Sequence, residues 1–585
     1  MARFDDLLTG QSLVFNAPSG PPLVASKPED VIPVLRDAQL LAAEGSWVVG
    51  FVSYEAASGL GSDLPVRAAT ANEPGKELPL VWFSPFTAPE KSPPIWESSP
   101  STSLSEEPWL PDWDLSSYNT NVNAIREQIA AGNTYQCNYT VRLRSSIKGD
   151  LRKLYQNLAH SQQGSYNAFL DTGRFVIASA SPELFFEWTD NQVITRPMKG
   201  TATRGRFPLE DEERAYGLTH SQKDRAENLM IVDLLRNDLG KVAEWGTVEV
   251  PKLFELERYN TVWQLTSTIT ARPRPEITLV DLFEALFPCG SVTGAPKRRT
   301  MALIAELEDS RRGVYCGAVG IVAPPGASFK ARFNVAIRTV VVDKLTDDAV
   351  YGTGGGITWD SNAGAEHAEL MAKASILSHP TEDFELFETM GHRPKEGLRN
   401  LDRHLARLSS SAKYFGFTFD ALAVRKDLET ALANTKKSRR VKLMLSRSGN
   451  FTVQVDPMPP RQSGPVRLEI DLEPVNSLNT HLYHKTTNRA IYESRASRHP
   501  DADDVVLINE RGELTETTTA SLVIRLDGKW LTPPVESGCL PGVERQRLID
   551  HNQLAERTLF LHDIHEAEAI ALVNSLRGWR PAELS

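Results

Sequence analysis

Short apolar runs alternate with segments of helical periodicity along most of the chain. Runs of apolar residues bounded by polar or glycine positions predict buried strands, and apolar positions three and four residues apart predict helices. Together they indicate a mixed α/β (α+β) protein. The predicted helices are 121–131, 223–239, 298–307, 364–378 and 401–415. The predicted strands include 47–56, 175–179, 318–323, 333–342, 441–445, 504–509 and 521–525.

The pattern is interrupted near Pro380, where a predicted helix ends and the strand-like FELFETM begins. A stretch rich in Pro, Ser and Glu at 85–118 indicates an exposed connection within the first part of the chain. We therefore expect a large domain followed by a smaller one. The expected domains are 1–378, with a looser N-terminal part at 1–115 and the motif-rich part at 116–378, and 379–585.

Length and charge narrow the function without identifying it. The chain has 585 residues, enough for several domains and for two activities. Its formal net charge of −11 argues against a general nucleic-acid binder. No run approaches the roughly 18 apolar residues that cross a bilayer, so no membrane association is expected. The four cysteines are far apart without metal-binding spacing, which favours a cytoplasmic protein.

Two predicted helices each carry a pair of carboxylates. Asp224 and Glu227 are three residues apart, as are Glu366 and Glu369, so each pair shares a helix face. Glu227 lies on an apolar face, where a carboxylate needs a cation. Surface carboxylates or ion pairs with arginine would explain each helix alone, but two such helices suit Mg²⁺, which prefers oxygen ligands.

Three further features lie near these helices in the sequence. Lys199 precedes a glycine in a polar loop, and Arg338 lies in a predicted strand. The glycines of 352–361 would let backbone amides approach an anion. Each has an ordinary alternative: a solvated lysine, an ion-paired arginine and a simple turn. A lysine with a lowered pKa could instead act as a nucleophile or base, and an arginine could bind a substrate carboxylate.

Seven ordered segments together resemble the chorismate-utilising enzymes. These enzymes include component I of anthranilate synthase, component I of aminodeoxychorismate synthase, and isochorismate synthase. The loop Pro197-Met198-Lys199-Gly200-Thr201 resembles the lysine form found in aminodeoxychorismate synthases, whereas anthranilate synthases carry alanine at that position. The seven segments are 181–186, 196–205, 223–242, 287–301, 315–320, 333–339 and 352–374.

The resemblance implies a role for each motif residue. Lys199 would attack C2 of chorismate and expel the C4 hydroxyl, after which ammonia would add at C4. Glu183 would be the general acid and base. Glu227 and Glu369 would bind Mg²⁺, supported by Asp224 and Glu366. The implied chorismate pocket contains Gly200, Thr201, Tyr315, Arg338, Gly354 and Gly356.

The predicted amination needs a supply of ammonia, which related enzymes obtain from a glutaminase. A glutaminase of the usual class needs a cysteine in the pattern G-x-C-x-G, and none of the four cysteines fits it. We therefore expect a separate glutamine amidotransferase subunit, or the use of free ammonia.

Four segments after residue 400 resemble the fold type IV enzymes, which use pyridoxal 5'-phosphate and have a two-lobed fold. Lys485 alone would be interpreted as a solvated lysine and Arg407 as a surface residue. The resemblance makes Lys485 the lysine that binds the cofactor, Glu516 the partner of its ring nitrogen, and Arg407 a ligand of its phosphate. Thr518 or Thr519 and the backbone amides at Val543 and Glu544 would complete the phosphate site. The segments are 404–408, 481–496, 509–524 and 537–549.

Two departures from the type IV pattern concern phosphate contacts. This chain has Thr519-Ala520-Ser521 where Ser-Asn is frequent, and Glu544 where threonine is frequent. Neither changes Lys485 or Glu516.

The two resemblances together predict a bifunctional enzyme of folate synthesis. Chorismate would be aminated to 4-amino-4-deoxychorismate, and a lyase would then remove pyruvate to leave 4-aminobenzoate. The Lys-Thr-Thr-Asn-Arg sequence from Lys485 favours a lyase. A C-terminal aminotransferase of branched-chain or D-amino-acid type, and anthranilate synthesis by the first domain, are the alternatives. Type IV enzymes are usually dimers, so we expect a homodimer through the C-terminal part.

Overall fold

The structure, a computed structural model, describes residues 1–61, 64–70, 75–92, 104–377, 384–460 and 463–585. The chain divides by its internal packing into two units. The first unit contains Met1–Arg204 and Ala215–Thr381, and the second contains Gly205–Arg214 and Glu382–Ser585. The expected domain boundary at 378/379 lies outside the described residues.

Helices occur in both units. Many begin at a side chain that caps the free amides of the first turn, such as Asp114, Ser221 and Asn362. The helices are α1 (Val31–Ala43), α2 (Leu115–Ala130), α3 (Leu151–Gln162), α4 (Pro208–His220), α5 (Gln222–Gly240), α6 (Leu279–Leu286), α7 (Lys297–Leu307), α8 (Ala363–Ala374), α9 (Leu401–Phe415), α10 (Ala421–Leu432), α11 (Ala490–Arg498), α12 (Val543–Asp550) and α13 (Leu561–His565).

The strands of the first unit are rich in β-branched and aromatic residues. They are β1 (Ala2–Asp6), β2 (Gln11–Phe15), β3 (Leu23–Ala25), β4 (Trp47–Val52), β5 (Val81–Phe86), β6 (Glu90–Lys91), β7 (Leu104–Glu106), β8 (Leu110–Pro111), β9 (Gln136–Gly149), β10 (Tyr166–Asp171), β11 (Phe175–Ser181), β12 (Leu184–Trp188), β13 (Val193–Arg196), β14 (Met198–Thr203), β15 (Glu249–Arg258), β16 (Val262–Ala271), β17 (Gly294–Ala295), β18 (Ala318–Val322), β19 (Ala331–Val335), β20 (Thr339–Asp343) and β21 (Asp348–Ile357).

These strands form two sheets that pack face to face. One has the order β17-β9-β21-β20-β11-β10-β1-β2-β6, and the other β14-β16-β13-β12-β19-β18-β4-β5-β3. Apolar side chains from both sheets, including Phe51 and Ile177, share the core between them. Helix α3 covers the outer face of the first sheet, and α1, α5 and α6 cover that of the second. This arrangement buries both faces of each sheet over much of its area.

The prediction of one strand at 333–342 is wrong. Strand β19 pairs with β12 and β18 in one sheet, whereas β20 pairs with β11 and β21 in the other. The chain crosses between the sheets at 336–338, and Arg338 adopts a left-handed backbone conformation with φ +52°. Arg338 therefore lies at a corner, because an apolar run alone does not show where a chain changes sheet.

Other predicted elements differ at their ends. Strand β4 ends at Val52, so the last residues of the predicted strand 47–56 form a 3-10 turn instead. Helix α8 ends at Ala374, and a 3-10 turn follows to Leu377. Residues 93–103 of the predicted connection lie outside the described residues.

The second unit contains two further sheets. The smaller has the order β23-β22-β24-β25, and the larger β28-β27-β26-β33-β32-β29-β30-β31. Their strands are β22 (Leu386–Arg393), β23 (Gly397–Leu398), β24 (Arg439–Leu445), β25 (Phe451–Pro457), β26 (Val466–Val475), β27 (Asp504–Asn509), β28 (Leu514–Thr517), β29 (Ser521–Leu526), β30 (Lys529–Thr532), β31 (Ala555–Glu556), β32 (Ala569–Asn574) and β33 (Gly578–Leu584).

Each sheet of the second unit has its own apolar core. Helices α9 and α10 pack on the smaller sheet, where Leu405, Val424 and Val441 are buried together. The larger sheet buries Leu468, Leu522 and Leu572. The expected mixed α/β architecture is confirmed. Among the described residues, no helix is long and apolar enough to cross a membrane.

Candidate active sites

The first unit contains a cavity of about 170 Å³. Strand β14 contributes Lys199, helix α5 contributes Glu227, and helix α8 contributes Glu369. Residues far apart in the sequence therefore meet in one pocket. All the residues predicted for chorismate and metal binding line it, together with Glu183: Lys199, Gly200, Thr201, Asp224, Glu227, Tyr315, Arg338, Gly354, Gly356, Glu366 and Glu369.

Lysines pair with two of the five carboxyl groups that line the cavity. Nζ of Lys199 lies 3.1 Å from Oε2 of Glu227. Nζ of Lys373 lies 2.8 Å from Oε1 of Glu369 and donates to the carbonyl oxygen of Gly354 at 2.9 Å. Lys373 lowers the pKa of Glu369. Lys373 was not predicted, although its position four residues after Glu369 is the spacing of a helical ion pair.

Glu183 is a buried acid. Burial raises its pKa to about 7, although a hydrogen bond from Ser291 opposes the shift. The Ser291 hydroxyl donates to Oε1 of Glu183 at 2.6 Å. A carboxyl group with a pKa near 7 can give and take a proton under ordinary conditions. Ser291 was not predicted as a site residue.

Two glycines make room for the lysine and its neighbours. A Cβ atom on Gly356 would lie 2.4 Å from Nζ of Lys199, a distance that excludes any side chain unless the lysine moves. Gly200 has φ +100°, and a Cβ there would lie 3.1 Å from Cβ of Asp224. The absence of a side chain at Gly200 therefore lets strand β14 lie close to α5, and its absence at Gly356 leaves space for the Lys199 side chain.

Arg338 and Tyr315 complete the wall. The Arg338 guanidinium donates to the carbonyl oxygen of Lys373, and the corner between the sheets directs its side chain to the cavity. Tyr315 is buried, and a Cβ on Gly352 would collide with its ring.

The donor set of the first cavity fits Mg²⁺. Besides Glu183, four carboxylates face the cavity, and burial together with repulsion from Glu369 raises the pKa of Glu366. No group of three or more potential ligands close enough for a metal occurs in the described part of the chain. Mg²⁺ commonly takes only one or two carboxylates and fills its shell with water and substrate oxygens. Two carboxylates released from their lysines would therefore suffice.

The second unit contains a cavity of about 390 Å³. Of the residues predicted to bind the cofactor, Arg407, Lys485, Glu516, Thr518, Thr519 and Val543 line it. Glu544 is not part of the lining. Its carboxylate pairs with Arg399 at 2.6 Å and Arg547 at 2.9 Å, so only its backbone amide is available to the predicted phosphate site.

Lys485 and Glu516 titrate near neutrality. Burial, aided by repulsion from Arg407, lowers the pKa of Lys485 to about 8. Burial raises the pKa of Glu516 to about 7, although the Tyr492 hydroxyl donates to it at 2.8 Å and the Leu540 amide at 3.2 Å. The Lys485 ammonium nitrogen lies 4.7 Å from the centre of the Phe387 ring.

A buried network fixes Arg407. Its Nε and Nη2 atoms donate to the two carboxylate oxygens of Glu388 at 2.8 and 2.7 Å. Nδ1 of His404 lies 2.6 Å from Glu388, and its Nε2 lies 2.7 Å from the hydroxyl of Ser575. Burial alone would raise the pKa of Glu388, but Arg407 and His404 outweigh it and lower the pKa to about 2. The sequence did not identify Glu388, His404 or Ser575.

The second cavity fits pyridoxal 5'-phosphate. Lys485 offers an amine, Glu516 a carboxyl group, and Arg407 with the N-terminal amides of α12 a phosphate site. The hydroxyl of Thr518 donates to Asp504 at 2.6 Å, and that of Thr519 donates to the same carboxylate. In this state both hydroxyls are engaged by Asp504, so a phosphate contact would require them to turn.

Comparison with known families follows the division into two units. The sequence model of the family described as chorismate binding enzyme matches residues 27–379, more than half of the chain. The chain belongs to the chorismate binding enzyme family. The model of amino-transferase class IV matches residues 385–584. Both resemblances inferred from the motifs are confirmed.

Relatives resemble the first unit. Aminodeoxychorismate synthase component 1 of Salmonella typhimurium is 38% identical over 303 residues, covering 52% of this chain and 63% of that protein. A protein of Haloarcula marismortui named anthranilate synthase component 1 3 is also 38% identical, over 256 residues, covering 44% of this chain and 50% of that protein. The chain thus spans roughly half to two thirds of these relatives.

A solved structure shares the fold of the chorismate-binding part. Anthranilate synthase component I from Streptococcus pneumoniae superposes with a TM-score of 0.53 at 26% identity, covering 63% of this chain and 92% of that one. The predicted fold of a chorismate-utilising enzyme is therefore confirmed for the first part of the chain.

Proposed function

We propose that the chain converts chorismate to 4-aminobenzoate in two steps, one in each cavity. The observation that carries the proposal is the position of Lys199 in the first cavity, beside Glu183 and the carboxylates of two helices. The Salmonella relative is named aminodeoxychorismate synthase component 1, in agreement with the lysine in this loop. The class IV match then supplies a second activity on the same chain.

In the first step Lys199 is the nucleophile. Its ammonium group, released from the ion pair with Glu227 at 3.1 Å, gives its proton to water, and the free amine attacks C2 of chorismate. The C4 hydroxyl leaves as water, with a proton from Glu183. Ammonia then adds at C4 and the Lys199 nitrogen departs from C2, so the sum is chorismate plus ammonia giving 4-amino-4-deoxychorismate plus water.

Glu227 and Glu369 would hold Mg²⁺, with Asp224 and Glu366 in support. When bound, the ion would neutralise the ring carboxylate of the substrate. Arg338 and the amides around Gly354 and Gly356 would orient the same anion.

In the second step the residues of the second cavity act on the amine. Lys485 and Glu516 would hold pyridoxal 5'-phosphate with Arg407, Val543, Glu544 and Thr518 or Thr519, and the cofactor would supply an electron sink. Lys485, with a pKa of about 8, is suited to take the proton from C4 of the substrate. Loss of pyruvate then leaves the aromatic product, 4-aminobenzoate.

Two alternatives have support of their own. The class IV match would equally accommodate an aminotransferase of branched-chain or D-amino-acid type. The Haloarcula relative is named an anthranilate synthase component, so anthranilate formation by the first unit is the other candidate. Lys199 argues against that reaction, because anthranilate synthases have alanine in this loop.

Two partners belong to the proposal. A separate glutamine amidotransferase subunit would supply ammonia, because the cysteines do not provide a glutaminase nucleophile. A second copy of the chain would pair through the C-terminal unit, as type IV enzymes usually do.

The test is incubation of the purified, cofactor-loaded chain with chorismate, Mg²⁺ and ammonium. We expect 4-aminobenzoate and pyruvate in equal amounts, measured by chromatography and by coupled reduction of pyruvate. Reactions without ammonium are the control. Anthranilate as the product would contradict the synthase assignment, and accumulation of 4-amino-4-deoxychorismate by the loaded enzyme would contradict the lyase assignment.

A further inference from the structure

The wall of the second cavity carries more positive charge than a phosphate needs. Among the described residues that line it, Glu516 alone has a carboxylate. The basic residues in the same wall are Arg407, Arg440, Lys485, Arg489, Arg577 and Arg580. A cavity with this excess of cations suits an anionic ligand beyond the phosphate.

Three of the arginines have visible roles. Glu388 binds Arg407 through both carboxylate oxygens. Arg440 pairs with Asp456 at 2.8 Å. Arg489 donates to the carbonyl oxygen of Thr518 at 2.6 Å and lies over the ring of Tyr492. These contacts leave Arg577 and Arg580 to be explained.

Arg577 and Arg580 lie on the hairpin between β32 and β33. Arg577 is fixed in the loop, since its amide donates to the Asn574 side chain at 2.8 Å and its Nη1 donates to the carbonyl oxygen of Pro460 at 2.7 Å. Arg580 follows on β33, opposite Leu572. Nε of Arg580 is buried without a hydrogen-bond partner among the described residues.

Neither guanidinium has a carboxylate within ion-pair distance in the described part of the chain. Burial lowers the pKa of Arg580, attraction from Asp504 opposes that shift, and repulsion from Arg577 adds to it, yet a guanidinium remains charged in proteins. A partly buried charge without a direct ion-pair partner is costly, and an anionic ligand would reduce that cost. Two neighbouring guanidiniums can bind two carboxylates as bidentate pairs.

We propose that Arg577 and Arg580 bind the carboxylates of the substrate and make the second cavity selective for an amine with two carboxylate groups. This inference rests on the proposed function, in which the phosphate is bound by Arg407 and α12. The amine made in the first step carries a ring carboxylate and an enolpyruvyl carboxylate. An ordinary amino acid with one carboxylate would leave one guanidinium without its counter-charge.

The first test uses the full-length, cofactor-loaded enzyme supplied with 4-amino-4-deoxychorismate. Arg577→Gln and Arg580→Gln are each expected to raise KM for this substrate about 10–100-fold, the usual effect of losing a hydrogen bond to a charged group. The kcat should change by less than about fivefold, because neither arginine exchanges a proton with the substrate. Arg580→Lys should recover part of the loss, and Arg393→Gln, an exposed residue paired with Glu396, is the matched control.

The second test measures binding without turnover. Chorismate has the two carboxylates but no amine, so it serves as an unreactive probe whose binding is followed through the visible absorbance of the bound cofactor. Its Kd is expected to rise at least tenfold in Arg577→Gln and Arg580→Gln, whereas that of 4-hydroxybenzoate, with one carboxylate, should rise in one variant at most. The unperturbed spectrum of each variant verifies that the site has folded.

Unchanged KM and Kd in both glutamine variants would overturn the inference. A wild-type enzyme that releases no pyruvate from 4-amino-4-deoxychorismate would overturn the proposed function instead. In that case the chorismate titration still decides whether Arg577 and Arg580 bind a dicarboxylate.

Discussion

The two cavities surround their lysines with opposite charges. Lys199 pairs with Glu227 in a cavity that five carboxyl groups line. Lys485 lies near Arg407 and Arg489, without a carboxylate partner among the described residues, and burial lowers its pKa to about 8. The amine in the first cavity becomes available only when its ion pair opens, whereas the second amine loses its proton near pH 8, well below the usual range of a lysine.

Each cavity also contains one acid whose pKa burial raises to about 7. Glu183 accepts from the Ser291 hydroxyl and interacts with the Met198 amide and the Cys289 thiol, whereas Glu516 accepts from the Tyr492 hydroxyl and the Leu540 amide. Glu183 faces the cavity next to Lys199, which suits its proposed role as the acid of the first step. Glu516 lines the cavity that fits the cofactor, where its proposed role is to pair with the ring nitrogen. The charge around each lysine thus distinguishes two sites built from the same residue types.

The largest expected effect comes from Lys485→Ala. The variant should lose visible cofactor absorbance and slow pyruvate release by at least about 10³-fold, since the residue that binds the cofactor also exchanges the proton. Chorismate, Mg²⁺ and ammonium should then yield 4-amino-4-deoxychorismate. Lys529→Ala, an exposed lysine of the same unit, is the control. Undiminished 4-aminobenzoate formation would remove Lys485 from the proposed mechanism.

Lys199→Ala should affect only the first step. We expect amination of chorismate to fall by about 10³-fold, while supplied 4-amino-4-deoxychorismate is converted at the wild-type rate. Lys199→Arg keeps a positive partner for Glu227 but has no available amine, so it should be as inactive as the alanine variant. Mass spectrometry of quenched wild-type enzyme should find the substrate on Lys199. Activity in Lys199→Arg would show that only the charge matters, and Lys252→Ala is the exposed control.

Glu388→Gln tests whether the second cavity depends on the buried ion pair between Glu388 and Arg407. Breaking a buried ion pair costs about 3–5 kcal/mol, so the variant should be less stable to heat and bind the cofactor more weakly. The folded pKa of Glu388, about 2, is below its unfolded value, so its stabilisation is present above the unfolded pKa and is lost as pH falls toward 2. The difference in Tm between wild type and variant should therefore shrink with acidification. A difference in Tm that does not change with pH would contradict the idea that the ionised Glu388 carboxylate provides this stability.

Local pattern predicted much of the first site, but not its long-range contacts. The three-residue spacing placed Asp224 with Glu227 and Glu366 with Glu369 on common helix faces, and all four line one cavity. The strand predicted at 333–342 is divided between two sheets, since pairing partners decide where a run of apolar residues breaks. That division sets the corner from which Arg338 reaches the cavity.

The second site shows the same limit. The type IV motifs identified Arg407 and Lys485, whereas the carboxylate that fixes Arg407 comes from Glu388 on β22, which His404 of α9 also contacts. A buried glutamate in an apolar strand was the available signal, because such a carboxylate requires a cation. No motif includes Arg577 or Arg580, and only the fold places them in the cavity wall that also contains Lys485.

Glu227→Gln and Glu369→Gln test whether the carboxylates of the first cavity bind Mg²⁺, which the arginine-rich second cavity would not. Each should raise the Mg²⁺ concentration for half-maximal amination about 10–100-fold, because an amide oxygen binds the ion less strongly than a carboxylate. The second step should not respond to Mg²⁺ or to a chelator. Glu306→Gln, an exposed residue of α7, is the control. An unchanged Mg²⁺ requirement in both variants would show that the ion, if used, binds elsewhere.

The smallest expected effect is the pH dependence of the first step. Burial raises the pKa of Glu183 to about 7, so the protonated acid predominates below pH 7 and the carboxylate above it. If Glu183 gives its proton to the departing hydroxyl, kcat/KM for chorismate should fall about tenfold per unit above pH 7, measured at a constant concentration of free ammonia. Glu183→Gln should be slower and should lack this alkaline limb. A limb that persists in the variant belongs to another group and would contradict the role of Glu183 as the acid of the first step.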